Sequence, residues 1–187
     1  AGVFVAGTIP TFLFFWELMA LSSFGLVMLD SLTESRRRTG VIYLAMTHVG
    51  TAFLTLALLW PCARGGSGWA ITDWVAGLAG FGGWERIVVI ACLLIGFGTK
   101  AGMMPFHVWL PRAHPQAPSH VSALMSGVMV KTGIYGLFRF LTGFGVVLHS
   151  ELGWVLLGIG FVSMLLGVLY ACNEHHLKTL LAYSSIE

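Results

Sequence analysis

Charge is what this sequence has least of. Asp, Glu, Lys and Arg fill only 10% of its 187 positions, against 57% hydrophobic residues and a mean hydropathy of +0.85. A water-soluble domain carries roughly a quarter charged residues, because its surface must be solvated. The chain lacks the polar material to cover a water-facing surface, so the reading turns to the membrane. Cysteine is also scarce. Cys62, Cys92 and Cys172 stand far apart with no C-x-x-C pair, which speaks against a zinc site or an iron–sulfur cradle. An odd count argues against a disulfide framework. A formal net charge of +2 with no basic–aromatic interleaving gives no reason to expect nucleic acid as a partner. Phosphate-binding glycine loops, nucleophile elbows and H-E-x-x-H pairs are missing, so no catalytic centre, cofactor or metal is expected. No secretory signal is visible. Ala1 lies inside an apolar run and Leu180 to Glu187 breaks off in mid-pattern, so both ends read as cuts in a longer chain.

What the sequence does have is apolar runs. An apolar helix needs about 20 residues to cross a ~30 Å hydrocarbon layer. Five runs qualify, at 9–30, 40–62, 85–104, 118–141 and 151–172, and a sixth begins near Leu177. Residues 1–7 read as the tail of a preceding span. Backbone groups cannot be left open to lipid, and the alternating segments of about 10 residues that make a barrel are absent. The expected fold class is all-α, a polytopic membrane helix bundle.

The connections differ in character. Residues 31–39 are polar and basic, and residues 63–84 are rich in Gly and Trp, with a short surface helix expected around Asp73 to Leu78. Residues 105–117 hold three prolines and read as a connection near the membrane, and 142–150 as a turn. Alternating crossings put Arg36, Arg37, Arg38, Arg112 and Lys178 on one side and Arg64, Arg86 and Arg139 on the other. The excess of basic residues in short loops marks the first side as cytoplasmic, so spans one, three and five run inward.

Three charges fall inside spans. Glu17 is the only charged residue between Ala1 and Asp30 and sits near mid-depth of the first span. A lone carboxylate there needs protein, water and a cationic partner, and the alternative is a protonated Glu hydrogen-bonded in a helix interface. Lys100 follows a long apolar stretch toward the end of the third span, where snorkelling to the interface is the competing reading. Gly96, Gly98 and Gly102 surround it and Pro105 follows, so the third span is expected to break there. Membrane helices break where backbone lines a cavity or an ion path. Lys131 lies near the middle of the fourth span among Ser122, Ser126, Gly127, Thr132, Gly133 and Gly136, small residues that allow close helix contact. It is expected to point into a protein-lined, partly wet path; the alternative is a structural lysine held by a carbonyl or an acid.

Histidines can exchange protons near neutral pH. His107, His114 and His120 follow the break or open the next helix. His107 and His120 join the candidate proton-translocation set, with His120 placed to relay between the cytoplasmic side and Lys131. Each reads equally as an interfacial hydrogen-bonder. His48 has no evident partner and reads as packing, His149 falls on the outer side, and His175 and His176 read as interfacial.

The stretch GFGTKAGMMPFHVWLPRAHPQAPSHVSALMSGVMVKTGIYGLFRF resembles the central signature of the antiporter-like membrane subunits of respiratory complex I, Mrp-type antiporters and membrane-bound hydrogenases. FFWELMALSSF and HHLKTLLAYSSIE resemble two further segments of that family, in the expected order. PSHVSALMSGVMVKTGIYG most resembles the branch of hydrogenase-4 component B and its formate hydrogenlyase counterpart. The resemblance implies inverted five-helix repeats, with residues 9–141 forming most of the first and 151–187 the start of the second. It implies that Glu17 is the carboxylate paired with the broken-helix lysine, Lys100, and that Lys131 is the next helix's lysine. The implied function is proton movement coupled to redox chemistry elsewhere in a hydrogenase or NADH dehydrogenase-type complex. Implied partners are other membrane and peripheral subunits, the lipid bilayer, and protons, with Na+ in some branches; the implied place is the cell inner (plasma) membrane. Two alternatives stay open: a multisubunit Na+/H+ antiporter subunit and a non-conducting membrane scaffold.

Overall fold

The computed structural model describes residues 1–28, 33–65, 68–143 and 150–187. His149, Asp30 and most of the 142–150 turn lie outside the described residues. Regular structure among those described is helical, apart from one antiparallel bridge between Thr8 and Ala70. The helices are α1 (Gly2–Val5), α2 (Ile9–Met28), α3 (Glu34–Gly65), α4 (Ile71–Ala79), α5 (Gly83–Ala101), α6 (Leu110–Gln116), α7 (Ser119–Leu124), α8 (Val130–Gly143), α9 (Ser150–Asn173) and α10 (Leu177–Ile186). A 3₁₀ turn, Phe106–Trp109, leads into α6, and a π turn, Met125–Met129, joins α7 to α8.

Five helical segments are long and apolar enough to cross a membrane: Ile9–Met28, Glu34–Arg64, Gly83–Gln116, Ser119–Leu141 and Gly153–Asn173. The all-α polytopic bundle is therefore the observed fold, and three corrections refine it. The second span starts earlier than residue 40, because Glu34 opens the helix and pairs with Arg37 at 2.9 Å. An acid in the first turn and an i,i+3 ion pair both favour helix there, so Arg36 to Arg38 are helical and not loop. The 105–117 stretch is not a connection but the second half of the third span. Pro111 sits in the first turn of α6, where a missing N–H costs little. The helix near Asp73 is not merely superficial, since its Trp74 is fully buried.

That burial has a chemical reason. Pro61 lies inside α3 and has no N–H to give to the Ala57 carbonyl one turn back. The Trp74 indole Nε1–H donates to that carbonyl at 3.1 Å, so α4 closes the gap the proline opens. Around the same place Phe12, Trp16, Phe97 and Phe140 pack edge-on and stacked, with centroids 5.2–6.1 Å apart, and tie α2, α5 and α8 together.

Span three is the centre of the bundle, and small residues bring its neighbours close. A Cβ on Gly96 would lie 2.9 Å from the Gly50 carbonyl of α3, and one on Gly133 would lie 2.8 Å from the Ala101 nitrogen. Close backbone contacts thus flank the last turns of α5, as small-residue packing allows in lipid. At the other extreme, α9 presents Trp154, Leu157, Phe161 and Leu169 outward.

Contacts also group the helix ends. The Gln116 amide approaches Ser35 at 3.5 Å and the Lys178 ammonium donates to the Ala117 carbonyl at 2.8 Å. Arg36 to Arg38, Arg112 and Lys178 accordingly gather at one end of the bundle. At the opposite end Arg64 pairs with Glu85, and Arg139 donates to the Val3 and Ala6 carbonyls.

Candidate functional site

The break in span three is where buried polarity collects. α5 stops at Gly102, whose φ of +72° is the left-handed conformation that suits glycine at a helix end. The Gly102 and Met103 N–H groups both return to the Gly98 carbonyl. The Thr99 carbonyl accepts the Trp109 indole N–H at 2.7 Å, and the Met104 N–H donates to Ser163 Oγ of α9 at 3.0 Å. These backbone groups of the interruption are therefore satisfied inside protein, the condition under which irregular backbone is tolerated at membrane depth.

Lys100 occupies the last turn before the break and is 2% exposed. It does not snorkel. Its ammonium donates to Tyr43 Oη at 3.3 Å and lies 5.5 Å from the centroid of that ring. Tyr43 Oη is 2.5 Å from Ser23 Oγ, and Ser23 donates to the Ala20 carbonyl at 2.8 Å. With lysine charged, the donors run in one direction: Lys100 to Tyr43, Tyr43 to Ser23, Ser23 to Ala20. Tyr43 also packs on Trp109, at 5.0 Å between ring centroids.

Glu17 lies on the same helix as Ala20 and Ser23, about two turns before the serine that Tyr43 contacts. Among the described residues, however, no carboxylate forms a direct ion pair with Lys100. Glu17 Oε2 instead lies 3.7 Å from His48 Nε2, so His48 has a partner and is not packing. The expected direct pair is not formed: Lys100 meets Tyr43, and Glu17 faces His48.

The second lysine is placed differently. Lys131 is exposed on the chain's surface, and its ammonium reaches the Ser126 carbonyl at 3.5 Å. The expectation of a path enclosed around it is not met within this chain, because α8 turns that face away from α5. Ser126 belongs to the π turn. His114 is fully buried beside it, with Nδ1 2.6 Å from Ser122 Oγ and Nε2 3.4 Å from Ser126 Oγ. Ser185 of α10 donates to Ser126 at 3.0 Å.

His107 is half-buried at the break, beside an open cavity of about 450 Å³ also lined by Gly158, Val162 and Tyr170 of α9. Its Nδ1 is buried without a hydrogen-bond partner among the described residues. His120 stands exposed in the first turn of α7, with no hydrogen bond to Ser126 or Lys131. The structure thus draws Glu17 and Lys100 into one neighbourhood, and leaves Lys131, His107 and His120 apart from it. Among the described residues no hydrogen bond joins the Lys100 and His114 sets, and no three His, Cys, Asp or Glu side chains converge as a metal site would need.

Tyr43, Ser23, His48 and His114 are the polar residues that sequence reasoning did not select. Helical phase held a clue for one of them: Tyr43, Thr47, Gly50 and Leu54 recur every three or four residues and all are buried against the centre.

A bundle of this kind, with a lysine buried at a broken central helix, defines a polytopic membrane protein built around an internal charge. The profile of the NADH:quinone oxidoreductase/Mrp antiporter transmembrane family matches residues 6–187, and the chain belongs to that family. An uncharacterised protein of Mycobacterium tuberculosis is 45% identical over 185 residues, 97% of this chain and 28% of its own length. Hydrogenase-4 component B of Escherichia coli is 40% identical over 182 residues, 94% of this chain and 26% of the relative. An NAD(P)H-quinone oxidoreductase chain 4 of Thermosynechococcus vestitus is 33% identical, with coverages of 99% and 34%. Among solved structures, a chain of the Mrp complex from a Dietzia species superposes with a TM-score of 0.85 at 25% identity, covering 99% of this chain and 34% of that one. A chain of an archaeal membrane-bound sulfane sulfur reductase shares the fold, with a TM-score of 0.89 at 23% identity and coverages of 99% and 38%. The chain spans about a quarter to a third of the length of the curated relatives it matches.

Proposed function

We propose that this chain is the ion-path region of a proton-translocating subunit in a membrane redox complex of the hydrogenase or NADH dehydrogenase type. The observation that carries the reading is Lys100: an amine 2% exposed, at a helix break, hydrogen-bonded to Tyr43, which in turn contacts Ser23 on the helix that carries Glu17. An ammonium at such a depth is costly and persists only with partners, which is why ionisable groups inside membranes carry function by default. Loss or neutralisation of the Glu17 charge removes the counter-charge of Lys100 and favours release of its proton. Lys131, with His120 at the start of its span and His107 at the break, supplies the part of the path that this chain alone does not enclose. Proposed partners are further membrane and peripheral subunits and the protons themselves. The proposed place is the inner (plasma) membrane, with the arginine-rich end cytoplasmic. Residues 9–141 would form most of one repeat and 151–187 the start of the next.

Glu17→Gln in the full-length protein, assembled in its complex and reconstituted in sealed vesicles, tests the reading. Proton movement is expected to fall by about ten-fold or more, equivalent to ~1.4 kcal/mol or more on the barrier, with assembly retained. Unchanged proton movement rejects the role of Glu17. The likeness to a chain of the Mrp complex supports a second reading, a Na+/H+ antiporter subunit without a redox partner. Na+-dependent proton release in the same vesicles, without any redox substrate, favours that reading over the first.

A further inference from the structure

We propose that His48 is a second proton partner of Glu17, a group through which the Lys100 site exchanges protons with the outer face of α2 and α3. The inference deepens the proton-translocation reading and rests on it.

The geometry fixes which nitrogen works. His48 Nδ1 is 3.0 Å from the Leu44 carbonyl, and a carbonyl only accepts, so Nδ1 carries a hydrogen. Nε2 is then the nitrogen free to gain and lose a proton, and it faces Glu17 Oε2 at 3.7 Å. That separation is beyond a direct hydrogen bond but suits an ion pair or one bridging water. Two states are chemically complete. In one, an imidazolium faces a carboxylate. In the other, the Nε2–H bond has broken, an O–H bond has formed on Glu17, and both side chains are neutral.

The two partners differ in access. The His48 side chain is 49% exposed on the chain's surface and that of Glu17 30%, whereas Lys100 behind them is 2% exposed. The other titratable groups of the site are Tyr43 on α3 and Lys100 on α5, bonded to each other and joined through Ser23 to the helix that carries Glu17. A proton passed from His48 to Glu17 cancels the charge that holds the Lys100 ammonium. One proton entering at His48 therefore weakens the hold on the Lys100 proton, which is an exchange and not a simple wire. An imidazole suits the entry role because one nitrogen keeps its hydrogen on a carbonyl while the other can gain and lose a proton.

The test uses the full-length protein in its assembled complex, in sealed vesicles, with proton movement followed across pH. His48→Asn retains an amide donor for Leu44, and His48→Gln places an amide toward Glu17; neither can shuttle a proton. Both are expected to assemble and to slow proton movement by about ten-fold, below the ~100-fold typical of a lost acid–base group because a bridging water substitutes in part. Both should change the shape of the pH profile, which a merely structural loss would not. The double variant Glu17→Gln/His48→Gln should be no slower than Glu17→Gln alone, since His48 acts through Glu17. Normal rate and pH profile in either single variant, or losses that add independently in the double, overturn the inference while Glu17→Gln still impairs transport. Normal transport in Glu17→Gln itself overturns the underlying reading instead.

Discussion

Lys100 and Lys131 sit on adjoining spans and in opposite surroundings. Lys100 lies within the bundle, at a helix break whose Thr99 carbonyl and Met104 N–H find partners, with Tyr43 and Ser23 leading away from it. Lys131 lies on the outside of the same bundle and keeps one carbonyl contact, to Ser126. The π turn carries Ser126 toward buried His114, so polarity reaches the Lys131 turn from within. One lysine is held by this chain alone, and the other is offered on its face. Among the described residues, the two lysines share no enclosure.

The largest expected effect contrasts the packing beside each lysine. A side chain on Gly133 would press on the Ala101 nitrogen and the Phe97 carbonyl, at the very turn that carries Lys100. Gly133→Leu should cost about 3 kcal/mol or more, since backbone cannot give way as a flexible side chain can. Gly127, one turn before Lys131, has nothing within 4 Å of a Cβ, and Gly127→Leu should stay within about 0.5 kcal/mol. Thermal unfolding in detergent measures both. Equal losses would mean that the Lys131 face is as closed as the Lys100 site.

Next comes the support of the break itself. Trp109→Phe keeps the ring but leaves the Thr99 carbonyl buried without its 2.7 Å donor, at an expected cost of about 1–3 kcal/mol. A transition unshifted by Trp109→Phe would show that the break needs no such support. Tyr43→Phe should cost about 1 kcal/mol in stability, because Ser23 can still reach Ala20, yet it should slow proton movement by removing the acceptor of Lys100. Normal transport with Phe at position 43 would take the hydroxyl out of the path. Smallest in stability is Lys131→Ala, expected within about 0.5 kcal/mol at an exposed position. A large loss of stability there would show that its surroundings hold it as tightly as Lys100.

Much of this was legible in the residues, though unevenly. The spans followed from hydropathy, and the break followed from Gly96, Gly98, Gly102 and Pro105 around one lysine, because glycine and proline act on the backbone locally. The same local rule misled at 105–117. Pro111 stops a helix in mid-course but is tolerated in a first turn, and the sequence does not say where a helix restarts. The π turn at Met125–Met129 has no composition of its own, so nothing announced it. Glu17 and Lys100 were legible as intramembrane charges needing partners, while the distance between them was not. It depends on which of several polar side chains fills the gap: Tyr43 took Lys100 and His48 took Glu17. Pairings across helices are set by packing geometry, which Gly50 and Gly96 determine over the last ångström.

The central claim is that Lys100 stays buried for the sake of the proton it carries. Lys100→Met, of similar length and without charge, removes a costly buried amine, so the variant should assemble and be at least as stable as the parent. In sealed vesicles that complex should move no protons when driven. Normal proton movement by a fully assembled Lys100→Met complex would contradict the account.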